Sequence, residues 1–447
     1  MFALPFVYLD IEIYTVEDKV EFGLRMEIIM REKFEKIHKI LYSEKSSAYM
    51  FLALCTTIFV YGFMYRIIDL RLTFWCALPF IIYYVFDDTR KNPIDISFII
   101  LSVFGLMLAI VAYVREPWLN TYWSDVKVAW VFPTIYMLGI VSVGNNSKKA
   151  DIRIFCILSA LNFGMFFQAV LDHINQYFRP LYGDAAWFSF WKDDYEVRTI
   201  FAFGFIVMAS VVYDAFKRRK NRIYFWSVII CSLLCVFFSI TTGGRTTLLL
   251  FVVNIIMSAI IDFSINFNNK SKASKYFFVC LLVLVIVLTS MATLAYVIDV
   301  FGFRDLYENS FLGRDGGVLH NVRLQAAKDG VKQMIQYPEG GWYGTEALPR
   351  GGTHNTWLEF ARYYNTVIFV ILLLYVLIVM KNFFWILLNK KYSETSRFFL
   401  CNITFSMFCY MCLEPVGAVP GYYYVIFFIF VSGILNKCAN LSLTRQV

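Results

Sequence analysis

The sequence predicts an all-α integral membrane protein of about twelve transmembrane helices, with both termini on the cytoplasmic side and one large external loop between helices 9 and 10. Three observations predict it. Hydrophobic residues make up 59% of the 447 residues and charged residues only 17%, whereas soluble domains run at about 45–50% and about 25%. Apolar runs long enough to approach the roughly 20 residues needed to cross a bilayer recur along the chain. Finally, Lys and Arg gather in alternate loops, which is a topology signal.

The runs lie at about 49–65, 72–87, 96–114, 127–144, 154–171, 199–216, 223–240, 246–264, 277–299, 365–386, 397–413 and 420–436. This leaves a segment 1–48, a polytopic domain 49–436 and a cytoplasmic tail 437–447. Asp10, Glu12, Glu17 and Asp18 interrupt what would be the apolar core of a signal peptide, so none is expected. Within 1–48, residues 18–45 read as an amphipathic helix on the membrane surface, with Val20, Leu24, Ile28, Phe34, Ile37 and Leu41 as its apolar stripe.

Orientation follows from the cations. Segments assigned to the cytoplasm carry 25 Lys and Arg, against 8 in the short loops of the other side. Lys217-Arg218-Arg219-Lys220-Asn221-Arg222 fixes one hairpin inside. The net charge of +8 therefore marks topology, and no nucleic-acid partner is expected. The apolar content excludes a disordered chain. Of the 10 cysteines, nine lie in apolar runs and Cys438 lies near the basic C-terminus, so no disulfide framework is expected. Cys409-x-x-Cys412 has metal or redox spacing but no accompanying His, and it reads as helix packing.

Two external loops are long enough to carry function. The first, about 172–198, is aromatic and includes Trp187 and Trp191. The second spans about 300–364. At the outer boundary between the seventh and eighth runs stands Thr241-Thr242-Gly243-Gly244-Arg245-Thr246-Thr247. Arg245 either snorkels from a tight hairpin or presents a fixed guanidinium to a phosphate at membrane level. In the large loop, Arg314-Asp315-Gly316-Gly317 precedes an amphipathic helix over Val318 to Gln336, which Pro338-Glu339-Gly340-Gly341 ends. Its basic residues are Arg323, Lys328 and Lys332. Thr356-x-x-Glu359 has capping-box spacing, which starts a helix near Thr356 and leaves His354 just outside its N-terminus. The helix dipole there disfavours imidazolium and leaves a neutral ring able to accept a proton. Asp193-Asp194 with Glu196 is the one dense acidic cluster of the external loops, and a solvated turn explains it equally well. Neither a bound metal nor an organic cofactor is expected.

In this order, three pieces resemble the O-antigen polymerase (Wzy-type) and O-antigen ligase superfamily of bacterial membrane glycosyltransferases. They are Thr242-Gly243-Gly244-Arg245-Thr246 opening a helix, Arg323 leading through a helix to Pro338-Glu339-Gly340-Gly341, and His354-Asn355 followed by Leu358-Glu359. The resemblance covers about 49–436 and implies an undecaprenyl-diphosphate-linked oligosaccharide as donor and a periplasmic site between helices 9 and 10 of an inner-membrane protein. It implies diphosphate binding by Arg245 and Arg323, with Arg314 as the alternative second anchor, and His354 as the proton acceptor, supported by Asn355 and Glu359. Trp187, Trp191, Trp342, Tyr343 and Trp357 are candidates for stacking on sugars, against an ordinary interfacial aromatic belt. The acceptor is a second lipid-linked repeat unit in a polymerase, or lipid A core in a ligase, and a chain-length regulator is a conceivable partner. A transporter is the rival from another class, but the halves share no period and the polar residues collect at the outer edge. A metal-dependent transferase would place acidic residues on a large first external loop, which here is only about Arg66 to Arg71.

Overall fold

A computed structural model describes residues 43–65, 67–68, 70–86, 94–115, 120–144, 147–178, 186–188, 190–191, 195–197, 203–242, 245–266, 294, 297–298, 322–341, 353, 355–413 and 423–443. The chain divides into two compact units, Met1–Ala53 and Leu54–Val447. In the first, the described part is the start of a helix, where the Ser43 hydroxyl accepts from the backbone N–H of Ser46 at 3.3 Å. The rest of the expected surface helix over 18–45 lies outside the described residues.

The helices are α1 (Glu44–Met64), α2 (Leu70–Val85), α3 (Ile96–Arg115), α4 (Asn120–Val143) and α5 (Ser147–Phe178). A two-stranded antiparallel hairpin follows, β1 (Ala186–Phe188) and β2 (Tyr195–Val197), with Trp187 opposite Glu196. Then come α6 (Phe203–Ala209), α7 (Val212–Lys217), α8 (Arg222–Thr242), α9 (Arg245–Ile265), α10 (Val322–Gln336), α11 (Thr356–Tyr363) and α12 (Thr366–Leu388). A π-helical turn at Thr395–Leu400 runs into α13 (Cys401–Leu413), and α14 (Tyr423–Leu443) closes the described chain.

Eight helices among the described residues are long and apolar enough to cross a membrane, and the protein is a helical multi-pass membrane protein. The expected count was about twelve, and the other four runs differ for identifiable reasons. The run at 72–87 gives the 16-residue α2, and the run at 127–144 forms the apolar part, Ala129–Val143, of the 24-residue α4. Pro79 lies inside the first, and Asp125 and Lys127 make the opening turns of α4 polar. The run at 199–216 is broken: Ser210 and Val211 donate to Val207 and Met208 at 3.3 and 3.1 Å, a tighter i→i+3 pattern that separates α6 from α7. The run at 277–299 lies largely outside the described residues.

Burial explains why an apolar sequence yields two kinds of helix. In α12, Ile368, Leu372, Tyr375, Val376, Val379 and Phe383 form a buried stripe, while Val367, Val370, Leu374 and Leu377 on the other face are equally apolar and exposed. A helix apolar all round, with one face uncovered by protein, is built for lipid. By contrast, α13 and α14 are mostly buried and form the interior of the bundle. Polar side chains link the interior helices. Asn436 donates to Ser97 and Tyr136 at 2.9 and 2.8 Å, Asn382 donates to Asn436 at 2.8 Å, and Asn254 donates to Ser406 at 2.8 Å. Such bonds join transmembrane helices where water offers no alternative.

Helices α4 and α14 pack in close contact. A Cβ on Gly139 would strike the Phe430 carbonyl and lie 3.2 Å from the Gly433 Cα, and the converse holds for Gly433 against Tyr136 and Gly139. Small residues at a crossing let two backbones touch. Gly139→Leu is therefore expected to cost on the order of 3 kcal/mol, since its branch meets backbone that cannot rotate away. A lowered melting temperature in detergent checks this, and an unchanged one would show that the crossing has slack.

Candidate functional site

Helix α11 and its approach form a compact polar structure at one end of the bundle. Asn355 is extended (φ −146°, ψ 113°), and its side-chain oxygen accepts from the Leu358 N–H at 3.1 Å, so it is the N-cap. The helix starts at Thr356 as the spacing predicts, but the cap is one residue earlier than the capping box implied. Asn355 is the better cap because its amide also donates to the Cys412 carbonyl at the end of α13, at 3.1 Å. Glu359 reaches past the cap to Thr353. Its Oε1 accepts from the Thr353 N–H at 2.6 Å and hydroxyl at 2.8 Å, and its Oε2 accepts from Arg362 at 2.9 Å. Glu359 is only 2% exposed, so these donors replace the water a buried carboxylate would otherwise require. Thr353 and Asn355 are thus both fixed, and they flank His354, which itself lies outside the described residues.

Helix α10 packs on this structure. Ala326, Gly330 and Gln333 are buried on its inner face. A Cβ on Gly330 would come within 2.6 Å of the Thr353 methyl carbon. The turn after α10 ends it as expected. Gly340 and Gly341 have φ of 78° and 74°, a region open to glycine at no steric cost, and a Cβ on Gly340 would collide with the Tyr364 carbonyl. Gly341 donates to the Arg362 carbonyl at 2.8 Å, while Thr366 donates from its N–H to Pro338 at 2.9 Å and from its hydroxyl to Met334 at 3.2 Å. The second and third sequence pieces are therefore one folded unit. Arg323 lies in the first turn of α10, seven residues and about 10 Å along the axis from Gly330. Its side chain, like Arg314, Trp342 and Tyr343 as a whole, lies outside the described set.

Below the cap, Asn355, Trp357 and Leu358 line an open cleft of about 250 Å³ together with Phe369, Leu372 and Leu373 on α12 and Phe408 on α13. The cleft has a polar rim at Asn355 and an apolar wall that descends the first turns of a membrane-spanning helix. Trp357 is itself buried, with the Phe408 and Phe428 rings 5.8 and 5.5 Å away.

The first piece is placed by the turn between α8 and α9. Arg245 is the first residue of α9, so the unpaired N–H groups of that helix point to its end of the bundle. Near it lies a group that the sequence reading assigned to a loop. Helix α5 continues past 171 to Phe178, which buries Asp172 and His173. The His173 ring is 4.1 Å from that of Phe238, one helical turn before Thr242. Asp172 accepts from the Phe190 N–H at 2.7 Å. Trp191 stands against Phe63 at 5.4 Å, and its indole N–H is shared between the Gln168 side chain and the Phe63 carbonyl, the latter at 3.2 Å. The signal for this was present: Val170, Leu171 and Ile174 continue the helical period around an ionisable pair, and such pairs in apolar helices are costly and functional by default. Trp187 sits on β1, and its register partner Glu196 is the described member of the acidic cluster.

Among the described residues no three His, Cys, Asp or Glu side chains come together as a metal site. Cys409 and Cys412 are free thiols on α13. No protein-family model and no curated protein matches the chain.

Proposed function

We propose that the protein is an oligosaccharide repeat-unit polymerase of the Wzy type. In this reading it has twelve spans with both termini cytoplasmic, in the inner membrane of a bacterium, and it transfers a growing glycan from undecaprenyl diphosphate to the non-reducing end of a second lipid-linked repeat unit. The observation that carries the reading is the polar cap at 353–359 opening onto an apolar cleft along α12. This is a place where a headgroup reacts at the membrane boundary while its hydrocarbon stays in the bilayer.

The acceptor hydroxyl oxygen attacks the anomeric carbon as the bond from that carbon to the diphosphate oxygen breaks. The electron pair leaves with the diphosphate, and the hydroxyl proton passes to His354. Arg245, with Arg323 or Arg314, meets the charge that develops on the leaving group. Asn355 and Glu359 hold the backbone on either side of His354. Attack opposite the leaving group inverts the anomeric carbon.

Purified protein is incubated with synthetic undecaprenyl-diphosphate repeat units in EDTA, and lipid-linked products are separated on a gel. The wild type should give a ladder, and Arg245→Ala should lose it by about 100-fold or more. Transfer only when lipid A core is supplied would make the protein a ligase. Silence with both acceptors would remove the transferase reading in favour of transport.

A further inference from the structure

The turn joining α7 to α8 lies at the end of the bundle opposite α11, and its four consecutive cations are not equivalent. Lys217 is half-buried and bridges Asp262 at 3.1 Å and Glu394 at 3.0 Å, which ties the turn to α9 and to the π-helical turn. Arg218 pairs with the fully buried Asp214 at 3.1 Å, and its guanidinium carbon lies 4.5 Å from the Phe155 ring centroid. Tyr224 donates its hydroxyl to the same Asp214 at 3.1 Å. Asn221 caps α8 by accepting from the Tyr224 N–H at 3.2 Å. Arg219 and Lys220 are exposed, and among the described residues neither has an ion-pair partner.

A solvent-open pocket of about 440 Å³ is lined by Phe155 and by 217–221. Its surroundings are apolar and uncovered: Ile152, Phe216, Ile223 and Trp226 are 65%, 50%, 84% and 58% exposed. A solvated basic loop needs neither the concavity nor the apolar rim. Exposed cations lining a pocket beside an open apolar surface containing Trp match an amphiphile with an anionic head. Asp214, Asp262 and Glu394 are matched to Lys217 and Arg218, and a fourth acid, Asp151 on α5, accepts from Ser393 and Thr395, which leaves the charge of Arg219 and Lys220 for a ligand.

We propose that this cavity binds the phosphate of an anionic phospholipid, with Arg219 and Lys220 as its contacts and the acyl chains lying across Ile223 and Trp226. Binding there would brace the α7–α8 turn against α5, α9 and the π-helical turn. The proposal is independent of the transferase reading.

The test uses the full chain in nanodiscs of phosphatidylcholine doped with phosphatidylglycerol, with bound lipid counted by native mass spectrometry after release into detergent. The double variant Arg219→Gln/Lys220→Gln should retain phosphatidylglycerol about 10- to 30-fold less than wild type. The double variant Lys390→Gln/Lys391→Gln removes the same charge elsewhere and should retain it normally. Equal loss in both would overturn the site in favour of general surface attraction. Displacement of the lipid by millimolar inorganic pyrophosphate would also overturn it, since the cavity would then take phosphate without the lipid. A melting temperature within about 2 °C of wild type for both variants establishes that they fold.

Discussion

Glu359→Ala should abolish transfer and loosen one end of the protein while the bundle stays folded. The carboxylate is the common acceptor for the Thr353 N–H, the Thr353 hydroxyl and Arg362. Its removal takes away the carboxylate that the buried Thr353 amide and the 13% exposed Arg362 guanidinium share. Breaking one half of a buried, hydrogen-bonded ion pair costs about 3–5 kcal/mol, because the other half keeps its desolvation penalty. Most of that cost falls on the segment from Thr353 to Thr366, which carries all three of these bonds. Hydrogen exchange should therefore quicken at Gly341, Leu358 and Thr366, whose N–H groups are bonded to Arg362, Asn355 and Pro338. Glu359→Gln keeps an acceptor for Thr353 and loses the charge opposite Arg362, so a smaller loss of about 1.5–3 kcal/mol is expected. Wild-type exchange in Glu359→Ala would mean that α10 and α13 alone hold the segment.

Much of this was legible in the sequence, and the failures share one cause. Apolar runs located the long spans, because lipid-facing and core-facing sides are both hydrophobic and the signal does not depend on partners. Even so, α5 extends seven residues beyond its run at each end, and α14 seven beyond its C-terminal end. The start of α11, the end of α10 at Pro338 and the Asn365 cap of α12 are local chemistry, and the first two were read correctly. What escaped was burial of polar groups by distant chain. Asp172 and His173 look like the start of a loop, yet α8 and the 190–191 segment cover them. Thr356-x-x-Glu359 satisfies the capping-box spacing, yet the cap went to Asn355 because the Cys412 carbonyl, 57 residues on, gives its amide a second bond. The break at Ser210 has no proline to announce it. Spacing reports which groups stand one turn apart, and it is silent about which of them a third element will dehydrate.

The largest kinetic effect is expected from His354→Ala, and its form matters more than its size. A base that accepts the acceptor proton acts in the transition state, so its loss should lower kcat by about 100- to 10,000-fold. Affinity for undecaprenyl diphosphate should stay unchanged. Arg245→Ala should weaken that affinity as well, since a guanidinium on a diphosphate also acts in the ground state. Bonds to Glu359, Leu358 and the Cys412 carbonyl hold Thr353 and Asn355 on either side of His354, so truncation of the ring leaves those bonds in place. His173 is the informative control, because it stands about one helical turn from the α8–α9 turn that carries Arg245. If His173→Ala shows the pure kcat loss and His354→Ala does not, the proton acceptor belongs to α5. The reaction would then be centred between α5, α8 and α9, and the cap of α11 would serve to bind the acceptor.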